Sequence, residues 1–332
     1  MKSTSKNQFQ HIFKCLSIPA LLVLFALSEA KANHFRPYNP DSSSIEGRWD
    51  MTIDMAGKSA PSWFEVTHSG LHTLIGEFVG TGGSARPVSK VNFTGGKMSF
   101  SIPPQWEEGN DLSVEGTLYG DSLAGTIVFP DGKNHSWTAV RAPSLRNQRE
   151  PVWGKPVSLF NGTDLKGWHT LGGNQWKAEN GILRSPKTGS NLISDKTFKD
   201  FKLHIEFRYP KGSNSGVYLR GRYEVQIEDS HGSEPLKNQL GAVYGFISPS
   251  YMVAKEAGEW QSYDITLVGR MVTIIGNGKT IICNREIPGI TGGALNSREG
   301  EPGPLLIQGD HGPIDYRNIV ITEASSYTPS SK

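Results

Sequence analysis

The amino-acid sequence predicts an all-β protein built as two successive domains. Three observations carry that prediction. Apolar and polar residues alternate along many short segments, the period of a half-buried strand rather than of a helix. Glycine supplies 38 of the 332 residues and proline 20, which suits closely spaced turns between strands. No long amphipathic helical pattern interrupts the series. The length fits two domains of ~100–200 residues each. A formal net charge of +2 with 20% charged residues leaves neither sign dominant, so nothing points to nucleic acid or to an acidic membrane surface as a partner.

The chain opens with Lys2, Lys6 and Lys14, followed by an apolar stretch from Cys15 to Ser28 and then Ala30-Lys31-Ala32. A basic leader, an apolar core and small residues around a cleavage point come in the order of a secretory signal peptide. The apolar run, roughly 14 residues, falls short of the ~20 that span a bilayer. Residues 1–32 are therefore expected to be removed on export to the periplasm or the exterior, leaving no membrane span, and 33–44 read as a polar linker. Once the leader is gone, Cys283 has no second cysteine with which to form an intramolecular disulfide. It closes the apolar run Lys279-Thr280-Ile281-Ile282-Cys283 and is expected to be a buried strand residue rather than a nucleophile.

Residues 45–142 carry about eight short alternating segments, from Arg48–Ile53 to Ser136–Val140, several of them separated by Gly-Gly or Asp-Gly turns. That regular spacing predicts a small antiparallel meander or barrel. Gly47-Arg48-Trp49 resembles the start of lipocalin-like barrels over three residues. Residues 143–156 are proline-bearing, charged and without periodicity, and read as a linker. Strand and turn alternate again over 157–323, with an Asn277-Gly278 hairpin signal. The expected architecture there is a two-sheet sandwich or jelly roll, with 324–332 as a tail. The run Gly162–Gly167 is no phosphate loop, because no Gly-Lys-Ser/Thr follows it.

Side chains of a strand point alternately to its two faces. Opposite Leu203, Ile205 and Phe207 stand His204, Glu206 and Arg208; opposite Val217 and Leu219 stand Tyr218 and Arg220. Opposite Val225 and Ile227 stand Glu224, Gln226 and Glu228; opposite Leu305 and Ile307 stand Leu306, Gln308 and Asp310. One such face is ordinarily just solvated. Several strands supplying carboxylates, amides, a guanidinium and an aromatic ring make a mixture suited to sugar hydroxyls and the apolar face of a sugar ring. Asn214-Ser215-Gly216 sits at a strand entrance, and Gly309-Asp310-His311-Gly312-Pro313 is a loop with an exposed histidine, in the kind of segment that carries function.

These residues also have a family likeness. The opening Phe160–Trp168, Trp176 with Gly181-Ile182-Leu183, the strand Asp200–Arg208, and Asn214–Arg220 with Tyr223–Ile227 resemble successive elements of the 3-keto-disaccharide hydrolase domain family. Gly241–Gly245, Gly258-Glu259-Trp260, Ile307–Pro313 and Arg317-Asn318-Ile319 follow in the same order. The resemblance covers about half of the chain, and many motifs in order are far more specific than one short pattern. It implies a concanavalin-A-like jelly roll with a concave sugar site. It also implies substrates oxidised to a ketone at C3, usually by a partner oxidoreductase. The first domain lies outside it.

A C3 ketone acidifies the C2 proton and places the glycosidic oxygen β to the resulting carbanion. Bond cleavage by elimination then needs a base at C2, an electrophile at the C3 oxygen and an acid at the leaving oxygen. Ordinary glycosidases instead set two carboxylates about an oxocarbenium-like state. His311 is the first candidate for base or acid, since its ordinary pKa of ~6.5 suits proton transfer near neutrality. Glu206 and Glu224 come next, and Arg220 is a candidate to stabilise an enolate oxygen. Asn214, Tyr218, Gln226, Tyr244, Gln308 and Asp310 are candidate substrate contacts. Glu, Asp and His can ligate a divalent metal, but no clustered spacing such as His-x-x-x-His occurs, so neither metal nor other cofactor is predicted. A lectin-like module on the same fold is the competing reading, and a structural surface protein with contacts made by its first domain a third.

Overall fold

The computed structural model describes residues 44–328 except Glu107 and Gln148. The leader and nearly all of the expected linker 33–44 lie outside the described residues. Within them every regular element is a strand.

The first eight strands are β1 (Gly47–Met55), β2 (Lys58–Ser69), β3 (Thr73–Val79), β4 (Arg86–Thr94), β5 (Lys97–Ile102), β6 (Leu112–Tyr119), β7 (Ser122–Val128) and β8 (Asn134–Arg141). Each pairs antiparallel with the next, and β1 pairs with β8, so the sheet closes into a barrel in sequence order. Closure removes the exposed edges of an open sheet. The interior is filled by Trp49, Met51, Phe64, Phe78, Phe100, Val114, Ile127 and Trp137. The facing pair Gly116 and Gly125 makes room for this packing. A Cβ at Gly116 would lie 2.6 Å from the Trp137 ring.

The sandwich follows. Its strands are β9 (Pro151–Trp153), β10 (Val157–Ser158), β11 (Trp168–Thr170), β12 (Lys177–Glu179), β13 (Ile182–Ser185), β14 (Leu192–Phe198) and β15 (Phe201–Arg208). They continue with β16 (Asn214–Leu219), β17 (Tyr223–Glu228), β18 (Gln261–Val268), β19 (Met271–Gly276), β20 (Lys279–Glu286), β21 (Gly303–Ile307) and β22 (Ile314–Tyr327). One sheet runs β12-β13-β22-β15-β18-β19-β20, with β9 and β10 also on β22; the other is five-stranded, β11-β14-β21-β16-β17. Leu203, Ile205, Phe207, Ile265 and Ile321 of the larger sheet meet Val217, Leu219, Val225, Leu305 and Ile307 of the smaller across one core. The β19–β20 hairpin turns at Asn277 and Gly278, both with positive φ (49° and 80°), as an Asn-Gly turn of primed type requires. The segments read as linker and tail pair with each other: Trp153 lies opposite Ala324, and Pro151 opposite Tyr327.

Cys283 differs from its expectation, for it is exposed. It lies on β20, the last strand of its sheet, where the register with β19 shifts. Ile281 and Ile282 are both buried and Cys283 falls outside, because an irregular edge strand breaks the strict alternation that a sequence pattern assumes.

Barrel and sandwich belong to a single compact unit. On β2, Phe64 points into the barrel while its neighbour Trp63 points out into the sandwich core, where its ring meets that of Phe246 edge-on at 5.5 Å. Val79, opposite Trp63 on β3, joins the same core. Beside this apolar dock is a buried charged cluster. Glu299 accepts from the Arg270 guanidinium and, at 3.2 Å, from the Tyr223 hydroxyl. Asp50 of the barrel belongs to the same cluster, its carboxyl pushed up to about 8 by burial and then by the charge of Glu299.

Candidate functional site

The site is built on the outer face of the five-stranded sheet, the side turned away from the core. Tyr218 on β16 lies directly opposite Glu224 on β17, and Gly216 opposite Gln226. Cross-strand neighbours on one face sit close enough for direct contact, and the Tyr218 hydroxyl is 2.9 Å from Glu224 Oε2. Glycine is required at 216 because a side chain there would overlap the Glu224 carboxyl. Glu224 is 4% exposed and Tyr218 3%. Burial pushes the Glu224 carboxyl up to about 8; hydrogen bonding to Tyr218 and the charge of His311 pull the other way, while Asp310 adds to the rise. Burial, followed by the charge of Glu224, raises the Tyr218 phenol well above its usual range.

The Tyr218 oxygen has two partners in reach, Glu224 Oε2 at 2.9 Å and the Gly292 carbonyl at 3.0 Å. A phenol carries one proton, and a carbonyl can only accept. With Glu224 neutral both contacts are satisfied: the carboxylic acid donates to Tyr218, and Tyr218 donates to Gly292. Burial pushes this carboxyl up to about 8, which favours the neutral form at pH 7.

Beyond the end of β21, Asp310 Oδ1 lies 2.6 Å from His311 Nδ1, and Asp310 Oδ2 3.4 Å from Asn191 Nδ2. The loop is clamped on both sides. Asn191 Oδ1 accepts from the Gly309 amide at 2.8 Å, and Ser213 Oγ donates to the Pro313 carbonyl at 2.7 Å. Partial burial opposes ionisation of Asp310, but its bond to His311, the charge of His311 and hydrogen bonds from the loop backbone and Asn191 together outweigh this and hold the carboxyl below its usual range. That same bond raises the His311 imidazole against partial burial, and the charges of Asp310 and Glu224 add to the rise. With Nδ1 turned to Asp310, His311 keeps Nε2 for other partners.

Two amides complete the face. Gln226 donates from Nε2 to the Asn238 carbonyl at 3.3 Å. Its Oε1, and that of Gln308, are buried without a protein donor, which is costly unless something else donates to them. Tyr244 is half-buried and its backbone amide donates to the Glu224 carbonyl at 3.0 Å; burial, then Glu224 and Glu228, raise its phenol. Asn214, half-buried, lies opposite Glu228 at the far end of β16.

The structure thus groups Tyr218, Glu224, Gln226, Gln308, Asp310, His311, Tyr244 and Asn214 about one sheet and its loops. Two of the sequence candidates lie elsewhere. Glu206 is on β15 in the larger sheet, where Arg317 and Asn318 donate to it at 2.6 Å and 2.7 Å. Alternation told which way Glu206 points from its strand, not which sheet the strand joins. Arg220 sits in the β16–β17 turn with φ at 54°, and this turns its side chain to the barrel-side cluster. There it donates to Gly269 O at 2.6 Å and to the Tyr223 hydroxyl at 3.1 Å. Sequence reasoning missed Asn191, which no pattern marked, and the Gly292 carbonyl, which no side-chain pattern can mark. Thr291 was missed too; its Oγ1 accepts from the Glu224 amide at 3.0 Å. A second cleft, of about 300 Å³, lies at the β13–β22 end of the larger sheet, lined by Arg184, Arg208 and Asp315 among others. Its charges satisfy one another: Asp315 accepts from Arg184 at 2.7 Å and from Arg208 at 2.6 Å.

Comparison with known proteins bears on the sandwich. A curated relative, the 3-keto-disaccharide hydrolase of Bacteroides thetaiotaomicron, is 28% identical over 94 residues, covering 24% of this chain and 32% of that protein. The match spans about a third of the relative's length. Among solved structures, a protein of Parabacteroides distasonis assigned to the glycosyl hydrolases is 25% identical. It aligns over 55% of this chain and 97% of its own with a TM-score of 0.43. The carbohydrate-binding module CBM66 of Bacillus subtilis aligns over 47% and 94% at 14% identity and a TM-score of 0.35. Residues 155–322 match the 3-keto-alpha-glucoside-1,2-lyase-like domain, half of the chain, and the protein belongs to that family.

Proposed function

We propose that the protein is an exported enzyme that cleaves the glycosidic bond of 3-keto-glycosides or 3-keto-disaccharides. The observation that carries the reading is the buried Tyr218–Glu224 pair set beside the Asp310–His311 pair on one sheet face. An elimination needs an acid and a base side by side, and a carboxyl kept neutral by burial next to an imidazole oriented by a carboxylate can supply one of each. In its neutral form His311 removes the C2 proton through Nε2, with Asp310 orienting the ring. The C1–O bond breaks as the C1–C2 double bond forms, and neutral Glu224 gives its proton to the leaving oxygen. Water then adds across the double bond, its oxygen to C1 and a proton to C2, and the net change is hydrolysis. The unpaired amide oxygens of Gln226 and Gln308 accept from sugar hydroxyls. The substrate must come from an oxidation at C3, the work of a partner oxidoreductase. The leader in residues 1–32 supports export, and a mature N-terminus near Asn33 in the exported fraction is the expected mass-spectrometric result.

The test is incubation of the purified protein with 3-keto-trehalose or a 3-keto-β-glucoside, reading released sugar or aglycone. The unoxidised glycosides should be turned over far more slowly, since their C2 proton is not acidic. Equal rates would indicate a two-carboxylate glycosidase. The same buried amide oxygens also suit a non-catalytic sugar-binding module, which would bind these compounds and release nothing.

A further inference from the structure

The barrel presses one loop against the site. The segment between β3 and β4, residues 80–85, touches both stretches that line the Tyr218–Glu224 pair. Gly83 is packed so tightly on Gly292 that a Cβ at 292 would overlap the Gly83 carbonyl. The Gly293 amide points to the Thr81 carbonyl at 3.4 Å. It is the Gly292 carbonyl that receives the Tyr218 hydroxyl. On the other side, a Cβ at Gly245 would lie 2.6 Å from the Ala85 nitrogen and 2.9 Å from Ser84 Cβ, immediately next to Tyr244. Gly83 and Gly245 both have positive φ, 82° and 76°, so side chains are disfavoured where barrel and site loops meet.

The far side of the same loop carries an aromatic ring. A Cβ at Gly83 would lie 2.8 Å from Cη2 of Trp106, and Gln105 Nε2 donates to Ser84 Oγ at 3.0 Å. The β5–β6 loop is thereby tied to the segment that walls the site. Trp106 nevertheless remains 67% exposed, with its ring edge on Gly83 and the rest uncovered. A tryptophan held at one end and open over most of its surface is an apolar platform.

We infer that Trp106, carried by the barrel, is the platform for the leaving-group ring of the substrate, a pyranose or aryl aglycone stacked by its apolar face. The oxidised ring occupies the sheet face at Glu224 and His311, and the second ring extends over the 80–85 loop toward Trp106. The barrel then sets specificity for the leaving group and takes no part in proton transfer. This rests on the proposed site, so the experiment separates the two.

The wild type and Trp106→Ala are assayed with 3-keto-trehalose and with methyl 3-keto-α-glucoside, which lacks a second ring. The ratio of kcat/KM for the disaccharide over the methyl glycoside should fall about tenfold in the variant, the scale of one aromatic stacking contact. Trp106→Phe should restore most of it. An unchanged ratio overturns the proposal. Binding is measured separately by titrating unoxidised trehalose and methyl α-glucoside, with trehalose affinity expected to fall selectively in Trp106→Ala. If the wild type turns over neither keto sugar but this selective loss is seen, the catalytic reading fails and the platform stands. If neither sugar binds and neither is turned over, both fail.

Discussion

Glu206 and Glu224 occupy alike positions in the pattern of neighbouring sequence segments, yet they meet opposite surroundings. On the outer face of the larger sheet Glu206 accepts from Arg317 and Asn318, and these partners outweigh its partial burial and lower its pKa. Around it Asp264 pairs with His204, and Asp315 with Arg184 and Arg208. Each of these carboxylates has a basic partner. On the smaller sheet Glu224 is more deeply buried, its side chain meets the Tyr218 hydroxyl, and burial raises its pKa to about 8. A charge matched by neighbours is locked into structure. A carboxyl raised chiefly by burial favours its protonated form near neutral pH and can give the proton away.

The largest expected effect breaks the comparison directly. Glu224→Gln and His311→Ala should each lower kcat on a 3-keto-glycoside by ~10²–10⁴, the usual share of a general acid or base. Comparable activity to wild type in both, with normal Tm, would remove the site assignment. Asp50 sharpens the contrast, because it too is buried and raised to about 8 but lies at the barrel dock. A raised acid binds its proton more tightly in the folded than in the unfolded state. Its contribution is therefore full below the ordinary carboxylate range and is lost as pH climbs through about 8. Asp50→Asn should flatten this fall, by up to about 3–4 kcal/mol at pH 8 relative to pH 5, in denaturant titrations at the two pH values.

A smaller effect is expected at Asp310. Asp310→Asn removes the partner that raises His311, so the acidic limb of the kcat/KM profile should move to lower pH, with kcat falling about tenfold as the ring loses its orientation. An unmoved limb would mean that His311 does not set it. The smallest effect belongs to Glu206→Gln, expected to change stability by less than about 1 kcal/mol, as for other partly exposed ion pairs, and to leave kcat close to wild type. A large loss of turnover in this variant would overturn the separation of the two faces.

Much of this was legible before folding was considered. Alternation marked the strands of the barrel and separated Val217 and Leu219 from Tyr218, and Val225 and Ile227 from Glu224 and Gln226. The Asn277-Gly278 turn was legible because a primed hairpin turn needs residues that tolerate positive φ. The Gly309–Pro313 loop stood out through composition alone. Arg220 was misleading for a local reason: it belongs to the turn after β16, and a positive φ takes its side chain off the strand's periodicity.

What the sequence by itself determined is therefore the short-range part: where strands run, which of their side chains share a face, and where turns fall, because those follow from a two-residue period and from the dihedral limits of single residues. Tertiary structure alone decided which sheet each strand joins, and so separated Glu206 from Glu224. It also brought Gly292, Asn191 and the barrel's 80–85 loop to the site. These are pairings between segments far apart in the chain, selected by how two sheets and a barrel bury their apolar faces together, with Trp63 of the barrel completing the core of the sandwich.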